Sequence, residues 1–251
     1  VVLISVPLGT DKPRAVNKTA FWVKVGADKC RATREELRRL MQASGGFYAD
    51  EMALSHTSLE DLDRLRFRYF YEKQYGQEIE QFDASTERIL SNLMLMKSPH
   101  LTLAGLLLFG REPQRIRPQF VVKAVAFDGN SLSETAYLDS EDIGLTLSEQ
   151  YKTTMGFLRR NLRKLQKGQN VNFPGKWELP EIALEEAVVN ALVHRDYLIN
   201  SSIRVFIFND RVEIISPGQL PNTATIETIK VGIQIVRNPI LVSFAPKLEV
   251  P

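Results

Sequence analysis

The sequence predicts an α/β protein of two lobes with a helical connector between them. Three observations predict it. β-Prone runs such as Phe21–Val25, Phe120–Phe127 and Ile203–Phe208 alternate with stretches of helical periodicity. The chain has 251 residues, more than one typical domain holds. Hydrophobic residues make up 44% and charged residues 25%, so a packed core is affordable and a disordered chain is excluded.

Val1–Val6 is an apolar, strand-like run ended by Pro7-Leu8-Gly9, and Phe21–Val25 is a second, closed by Gly26. Thr33-Arg34-Glu35-Glu36 reads as a capping box, whose hydroxyl and carboxylate satisfy free N–H groups at a helix start. That helix runs to Ala43, with Gly45-Gly46 as its stop. Residues 58–97 read as two helical pieces. Ser58-x-x-Asp61 caps the first, Asp83 or Ser85 the second, and Leu62, Leu65, Tyr69 and Phe70 form a buried stripe. Leu101–Phe109 is a short apolar helix ended by Gly110, Arg111–Pro118 a basic loop, and Phe120–Phe127 a buried strand. Leu145–Gln166 is a long amphipathic helix with a basic end, which suits the macrodipole, and Pro174-Gly175 marks a boundary. Pro180 starts a helix over Glu181–Val193. Ile203–Phe208 and Arg211–Ile215, joined by Asn209-Asp210, form a β-hairpin. Residues 216–221 are a loop and Thr225–Lys230 a short helix. In the second lobe, helices cover one face of a mixed sheet whose outer strands include 203–208 and 211–215.

The single cysteine, Cys30, excludes an intramolecular disulfide and a cysteine zinc site and favours a reducing, cytoplasmic setting. His56, His100 and His194 are scattered, so no metal cluster is visible. No apolar run reaches the ~18 residues that would span a bilayer, and no leader pattern opens the chain, so no membrane partner is expected. The sequence starts at Val1 and reads as a piece of something longer. The net charge of +2 names no partner, but residues 1–42 hold nine Lys and Arg against four Asp and Glu. Arg31, Arg34, Arg38 and Arg39 stand at helical spacing. They are either a solvated face or a set of DNA phosphate contacts. Arg159-Arg160-x-x-Arg163-Lys164 carries the same two readings. Arg66-Phe-Arg-Tyr-Phe-Tyr71 reads as a core helix with snorkelling arginines rather than a base-stacking surface.

The helix at 181–193 carries the chemistry. Ala183, Leu184, Ala187, Val188, Ala191 and Leu192 make it apolar over much of its surface. Glu186 and Asn190 are one turn apart on one face, with His194 a turn further on. A carboxylate and an amide in so apolar a helix are expected to be at least partly buried, which is costly unless they are paired. Hydrated Mg²⁺ with a nucleotide phosphate would pair them: the amide oxygen is a hard ligand and the carboxylate can deprotonate a water. The competing reading is a solvated helix face. His194 is either a helix-end structural residue or a phosphate hydrogen-bonding group. His194-Arg195-Asp196 lacks the companion Asn and glycine loop of a kinase catalytic segment.

Glu186-x-x-x-Asn190, followed by a hairpin and a glycine-containing loop, resembles the first ATP-binding box of the GHKL superfamily. Glu185 to Tyr197, then Arg211-Val-Glu-Ile-Ile-Ser-Pro-Gly-Gln-Leu-Pro221, then Arg237-Asn-Pro239, resembles the C-terminal ATPase-like domain of RecG-related transcriptional regulators. Phe21-Trp-Val-Lys-Val-Gly26 with Arg31-Ala-Thr-Arg-Glu-Glu-Leu37 resembles the second half of a Schlafen-type AlbA domain. The resemblance implies a truncated AlbA-like DNA-binding lobe at 1–45, a connector at 46–100 and a GHKL (Bergerat-type) sandwich at 101–251. It implies ATP and Mg²⁺ as cofactors, Glu186 as general base and Asn190 as metal ligand. It places Ser216 where gyrase-like members carry the adenine-binding aspartate, and Gly218 in the loop under the adenine. A glycine-rich lid is expected after Pro239, and its absence implies weak nucleotide binding with slow or absent hydrolysis. The implied function is a DNA-associated regulator that binds ATP, with DNA contacts from Arg31, Arg34, Arg38 and Arg39; a homo-oligomer stays open. The alternative is a DNA- or protein-binding module that keeps the ATPase fold without turnover.

Overall fold

The computed structural model describes residues 13–17, 19–43, 46–79, 84–132, 136–165, 176–219 and 236–248. The expected strand at 1–6, the boundary at 174–175, the cap at Asp83, the helix at 225–230 and the loop end at 220–221 lie outside them. The α/β class holds, and the chain divides into two compact units. One contains the described residues up to Ala49, the other those of 50–219 and 236–248.

In the first unit, strands β1 (Trp22–Val25) and β2 (Asp28–Arg31) pair antiparallel around Gly26. Helix α1 (Arg34–Ala43) follows. Its capping box is present: Thr33 N donates to Glu36 Oε2 (2.8 Å) and Glu36 N donates to Thr33 Oγ1 (3.2 Å). Arg31 therefore sits on a strand, not on the helix with Arg34.

Early in the second unit a 3₁₀ turn at Leu59–Asp61 is capped by Ser58. Helix α2 (Arg64–Tyr75) then starts under its own cap, Asp63. Its buried residues are Phe67 and Phe70. The expected stripe is corrected in part: Leu65 and Tyr69 are 74% and 67% exposed, while Leu62 and Phe70 are buried. Helix α3 (Ala84–Asn92) leads into strands β3 (Met96–Lys97) and β4 (His100–Leu101). Thr102 caps helix α4 (Leu103–Phe109), whose residues are all buried. A helix apolar all round belongs in a core. Gly105 lets Leu95 O approach to where a Cβ would be 2.0 Å away. Phe109 meets Phe67 (5.3 Å between centroids), Phe70 (5.0 Å) and Phe244 (6.1 Å). So the segment expected as a connector packs into the same unit as the rest.

Helix α5 (Pro113–Ile116) sits in the basic loop. Strands β5 (Val122–Phe127) and β6 (Tyr137–Ile143) pair antiparallel, and helix α6 (Leu147–Asn161) crosses back over them. It ends five residues before the expected Gln166 because Lys164–Leu165 (β7) turns away to pair with Lys176–Trp177 (β8). Helix α7 (Glu181–Val193) precedes the hairpin β9 (Ile203–Ile207) and β10 (Val212–Ile215). Helix α8 (Pro239–Phe244) closes the unit.

The sheet order is β10-β9-β5-β6, with β5 and β9 parallel and the other pairs antiparallel. The mixed sheet is as expected, but 203–207 is an interior strand; β10 and β6 are the edges. Val122, Ala124, Ala126, Ile203, Val205 and Ile207 bury one face, where α6 and α7 pack. Parallel pairing of β5 with β9 needs a long crossover, and α6 and α7 supply it.

Arg66 joins α2 to the start of α6, donating from Nη1 and Nη2 to Glu149 (2.8 and 2.6 Å) and from Nη1 to Thr146. Arg66 holds the Glu149 carboxyl down at about 2, against an ordinary 4.5. A depressed carboxyl stabilises the fold above its unfolded pKa, and that contribution is lost as pH falls. Glu149→Gln is expected to unfold at lower urea than wild type at pH 7, with the gap closing between pH 4.5 and about 2. Phe109→Ala is expected to cost about 3–5 kcal/mol in the same titration.

Candidate functional site

Helix α7 buries Leu184, Val188, Ala191, Leu192 and Val193. Its outer face carries Ile182 (75% exposed), Ala183, Glu186 and Asn190, all exposed. The expected burial of Glu186 and Asn190 is corrected. Of the alanines that made the helix look apolar all round, Ala183 lies on the water side, Ala187 is half-buried and Ala191 is buried. Glu186 and Asn190 do share one face, and neither side chain hydrogen-bonds another described residue.

The C-terminal end of α7 is closed by side chains from later in the chain. Helix ends leave carbonyls without partners. Here Ser216 Oγ donates to Ala191 O (2.8 Å), and Asn238 Nδ2 donates to Val193 O (2.9 Å) and Arg195 O (2.8 Å). His194 is the half-buried cap residue. Burial, then the nearby Arg237 cation, push its imidazole pKa down and favour the neutral ring.

Arg195 is 1% exposed. Its guanidinium lies over Phe120 (4.4 Å) and Tyr197 (5.2 Å) and donates to Ser201 O and Ile199 O. Burial holds its pKa down and pushes the Tyr197 phenol up. Tyr197 donates to Leu192 O (2.8 Å). So the His-Arg-Asp-Tyr run packs and ties the turn after α7.

Gly218 has φ +125°, and a Cβ there would stand 2.5 Å from Arg237 Nη1 and 2.8 Å from Asp196 Cβ. Asp196 N donates to Pro217 O (2.9 Å), Arg237 Nη2 donates to Gln219 O (2.6 Å), and Arg237 Nη1 is 3.7 Å from Asp196 Oδ2. The bare side of Gly218 is filled by protein. Ser216 has its hydroxyl proton engaged by the helix.

Sequence reasoning missed Asp50. It is fully buried, and its Oδ2 accepts from Ile240 N (2.8 Å) and Leu241 N (3.2 Å), capping α8 from a remote segment. Asn238, the local cap position, is turned toward α7 instead. Burial pushes the Asp50 carboxyl up to about 6 against the two backbone donors. No local pattern announces this role, because its partners lie 190 and 191 residues away. Asp50 Oδ1, Arg195 Nε and Asn238 Oδ1 are buried without a partner among the described residues.

Of the basic residues, Arg31 and Arg34 are exposed, and the side chains of Arg38 and Arg39 lie outside the description. The second basic patch is neutralised in part: Arg159 pairs with Glu181 (2.6 Å) and Arg160 with Asp139 (2.7 Å) and Glu141 (2.6 Å), while Arg163 donates to Asn209 Oδ1 (3.2 Å) and Lys164 lies over the Trp177 ring (4.5 Å). Among the described residues no group of three or more His, Cys, Asp or Glu could hold a metal, and no helix is long and apolar enough to cross a membrane.

Residues 200–251 match a family described as "Putative ATP-dependent DNA helicase recG C-terminal". That supports a RecG-related, ATPase-like domain in this part of the chain; α7 lies just outside the match. A solved structure described as the DIP2311 protein from Corynebacterium diphtheriae shares the fold. Its TM-score is 0.56 at 22% identity, over 93% of this chain and 45% of that one. The chain thus spans less than half of that protein. Curated proteins give no match.

Glycine at positive φ against a filled neighbour tolerates no side chain, so Gly218→Ala is expected to lose about 1–3 kcal/mol in urea unfolding. A raised carboxyl stabilises the fold while protonated, and that contribution is lost as pH rises through the folded pKa. Wild type is therefore expected to lose stability relative to Asp50→Asn as pH climbs from 3.8 to about 6, measured by paired urea titrations.

Proposed function

We propose that this chain is part of a cytoplasmic, DNA-associated regulator whose GHKL-like domain holds ATP and Mg²⁺ against the open face of α7. The observation that carries the reading is the pairing of Glu186 and Asn190, one turn apart and both exposed, beside a segment that matches an ATPase-like family. Two hard oxygen donors suit Mg²⁺, which keeps waters and phosphate oxygens in its other positions. Asn190 Oδ1 would be the metal ligand, and the ion would neutralise phosphate charge. The Glu186 carboxylate would take a proton from a water beside the phosphates. His194, neutral at the helix end, can hydrogen-bond a phosphate oxygen from the same side.

The base end fits less well. The side of Gly218 that would face adenine is filled by Arg237 and Asp196, and the Ser216 proton is spent on Ala191 O. This favours a second reading, in which the ATPase fold serves as a DNA- or protein-binding module without turnover. The AlbA-like lobe supplies the DNA contacts in both, through Arg31 and Arg34 with Arg38 and Arg39.

Thermal unfolding with Mg·ATP separates the two. At about a hundredfold over Kd, binding is expected to add ~2.7 kcal/mol to wild type and nothing to Asn190→Ala. Wild type unmoved by Mg·ATP contradicts the nucleotide reading and leaves the module.

A further inference from the structure

The β1–β2 hairpin carries charge that no described carboxylate of its own unit neutralises. Its register places Trp22 opposite Arg31 and Lys24 opposite Lys29. Alternate residues of a strand share a face, so these four side chains stand together on one side of the ribbon. All four are exposed, Trp22 by 52%. Val23, Cys30, Val25 and Asp28 take the other side. Like charges directly opposed in a ladder destabilise it. Yet no described carboxylate forms an ion pair with Lys24, Lys29 or Arg31. Elsewhere the chain does the reverse: Lys123, Arg159, Arg160 and Arg211 each pair with an acid.

Three cations with no described acid partner, around an exposed indole, complement a chain that offers both phosphates and open base faces. A duplex keeps its bases stacked and would leave the indole with little to cover it. A single strand offers each base's π-face, which stacks on aromatics with little regard to sequence. A lipid surface fits poorly, because the face bearing Trp22 also bears every cation of the ribbon and Val25 points away.

We propose that this face binds single-stranded DNA, with Lys24, Lys29 and Arg31 on phosphates and Trp22 stacked on an unpaired base. The inference rests on the DNA-associated reading above and names its surface and its form of DNA. It moves Arg31 from the helix cluster to the ribbon.

Fluorescence anisotropy on the full chain tests it, using labelled oligothymidylate, a duplex of equal length, oligouridylate and anionic vesicles across a salt series. Wild type is expected to bind oligothymidylate tightest. Lys24→Gln with Lys29→Gln is expected to flatten the slope of log K against log salt by about 1.4, the share of two phosphates on a single strand. Trp22→Ala is expected to weaken binding about tenfold. Lys29→Glu puts a carboxylate across from Lys24, so thermal stability is expected to hold or rise while affinity falls; that separates lost contact from lost fold. If wild type binds DNA and the hairpin variants match it in affinity and slope, the ribbon inference fails and the regulator reading stands. Preference for the duplex with Trp22→Ala unaffected, or for oligouridylate or vesicles, also overturns it. Wild type that binds no DNA overturns both readings.

Discussion

The end of helix α7 is the joint on which the second unit depends. Three hydrogen bonds close it, one from Ser216 and two from Asn238. Those to Ala191 O and Val193 O satisfy carbonyls that a helix end would otherwise leave without a partner, and that to Arg195 O holds the turn beyond the cap. Together they hold the end of a helix whose rotation is set by Leu184, Val188, Ala191 and Leu192, buried toward α6 and the sheet. Asn238 can serve α7 because Asp50 has taken over the capping of α8. Asp50 sits buried at the far side of that exchange, with its carboxyl pushed up to about 6. An exchange of capping partners thus links residue 50, helix α8 and the end of α7.

The motif residues divide by this logic. His194, Ser216 and Gly218 read as ligand-binding residues, and Arg195, Asp196, Tyr197, Arg237 and Asn238 stand in the same motif runs, yet most of them hold one another. Arg195 rests on two aromatic rings, Gly218 admits Arg237 and Asp196, and Ser216 closes the helix. Such a scaffold is stiff, and stiffness is what a surface of two small polar groups needs to present a fixed geometry to a ligand. Glu186 and Asn190 stand apart from that lattice. Among the described residues neither side chain has a hydrogen-bond partner, and both are exposed, which is what the proposed contact with a phosphate and its cation requires.

Much of the fold could be read from residue order. The capping box at Thr33 and Glu36, the strand at 122–127, the helix at 181–193 and the hairpin after it all carry local signals that the structure keeps. Misreadings have physical causes. Strand β6 holds Asp139, Glu141 and Asp142 and buries little except Ile143, so an edge strand gave no alternation to find. Leu65 and Tyr69 fit helical spacing, but α2 is rotated by the packing of Phe67 and Phe70 on Phe109. Spacing put Arg31 with Arg34 on a helix, although Thr33 starts that helix and leaves Arg31 on a strand. For the site, spacing placed Glu186 and Asn190 on one face, but their exposure follows from which side of α7 packs on α6 and β10, a tertiary fact that no local pattern carries. Asp50 was invisible for the same reason.

The central claim is that a nucleotide with its metal meets α7 on the Glu186 and Asn190 face. Line broadening by Mn²⁺·ATP of the side-chain amides in asparagine-labelled protein measures that proximity directly. The account predicts strong broadening at Asn190 with the Asn238 amide, buried behind the helix end, much less affected. Uniform sharpness at Asn190 with broadening confined to other asparagines would contradict it.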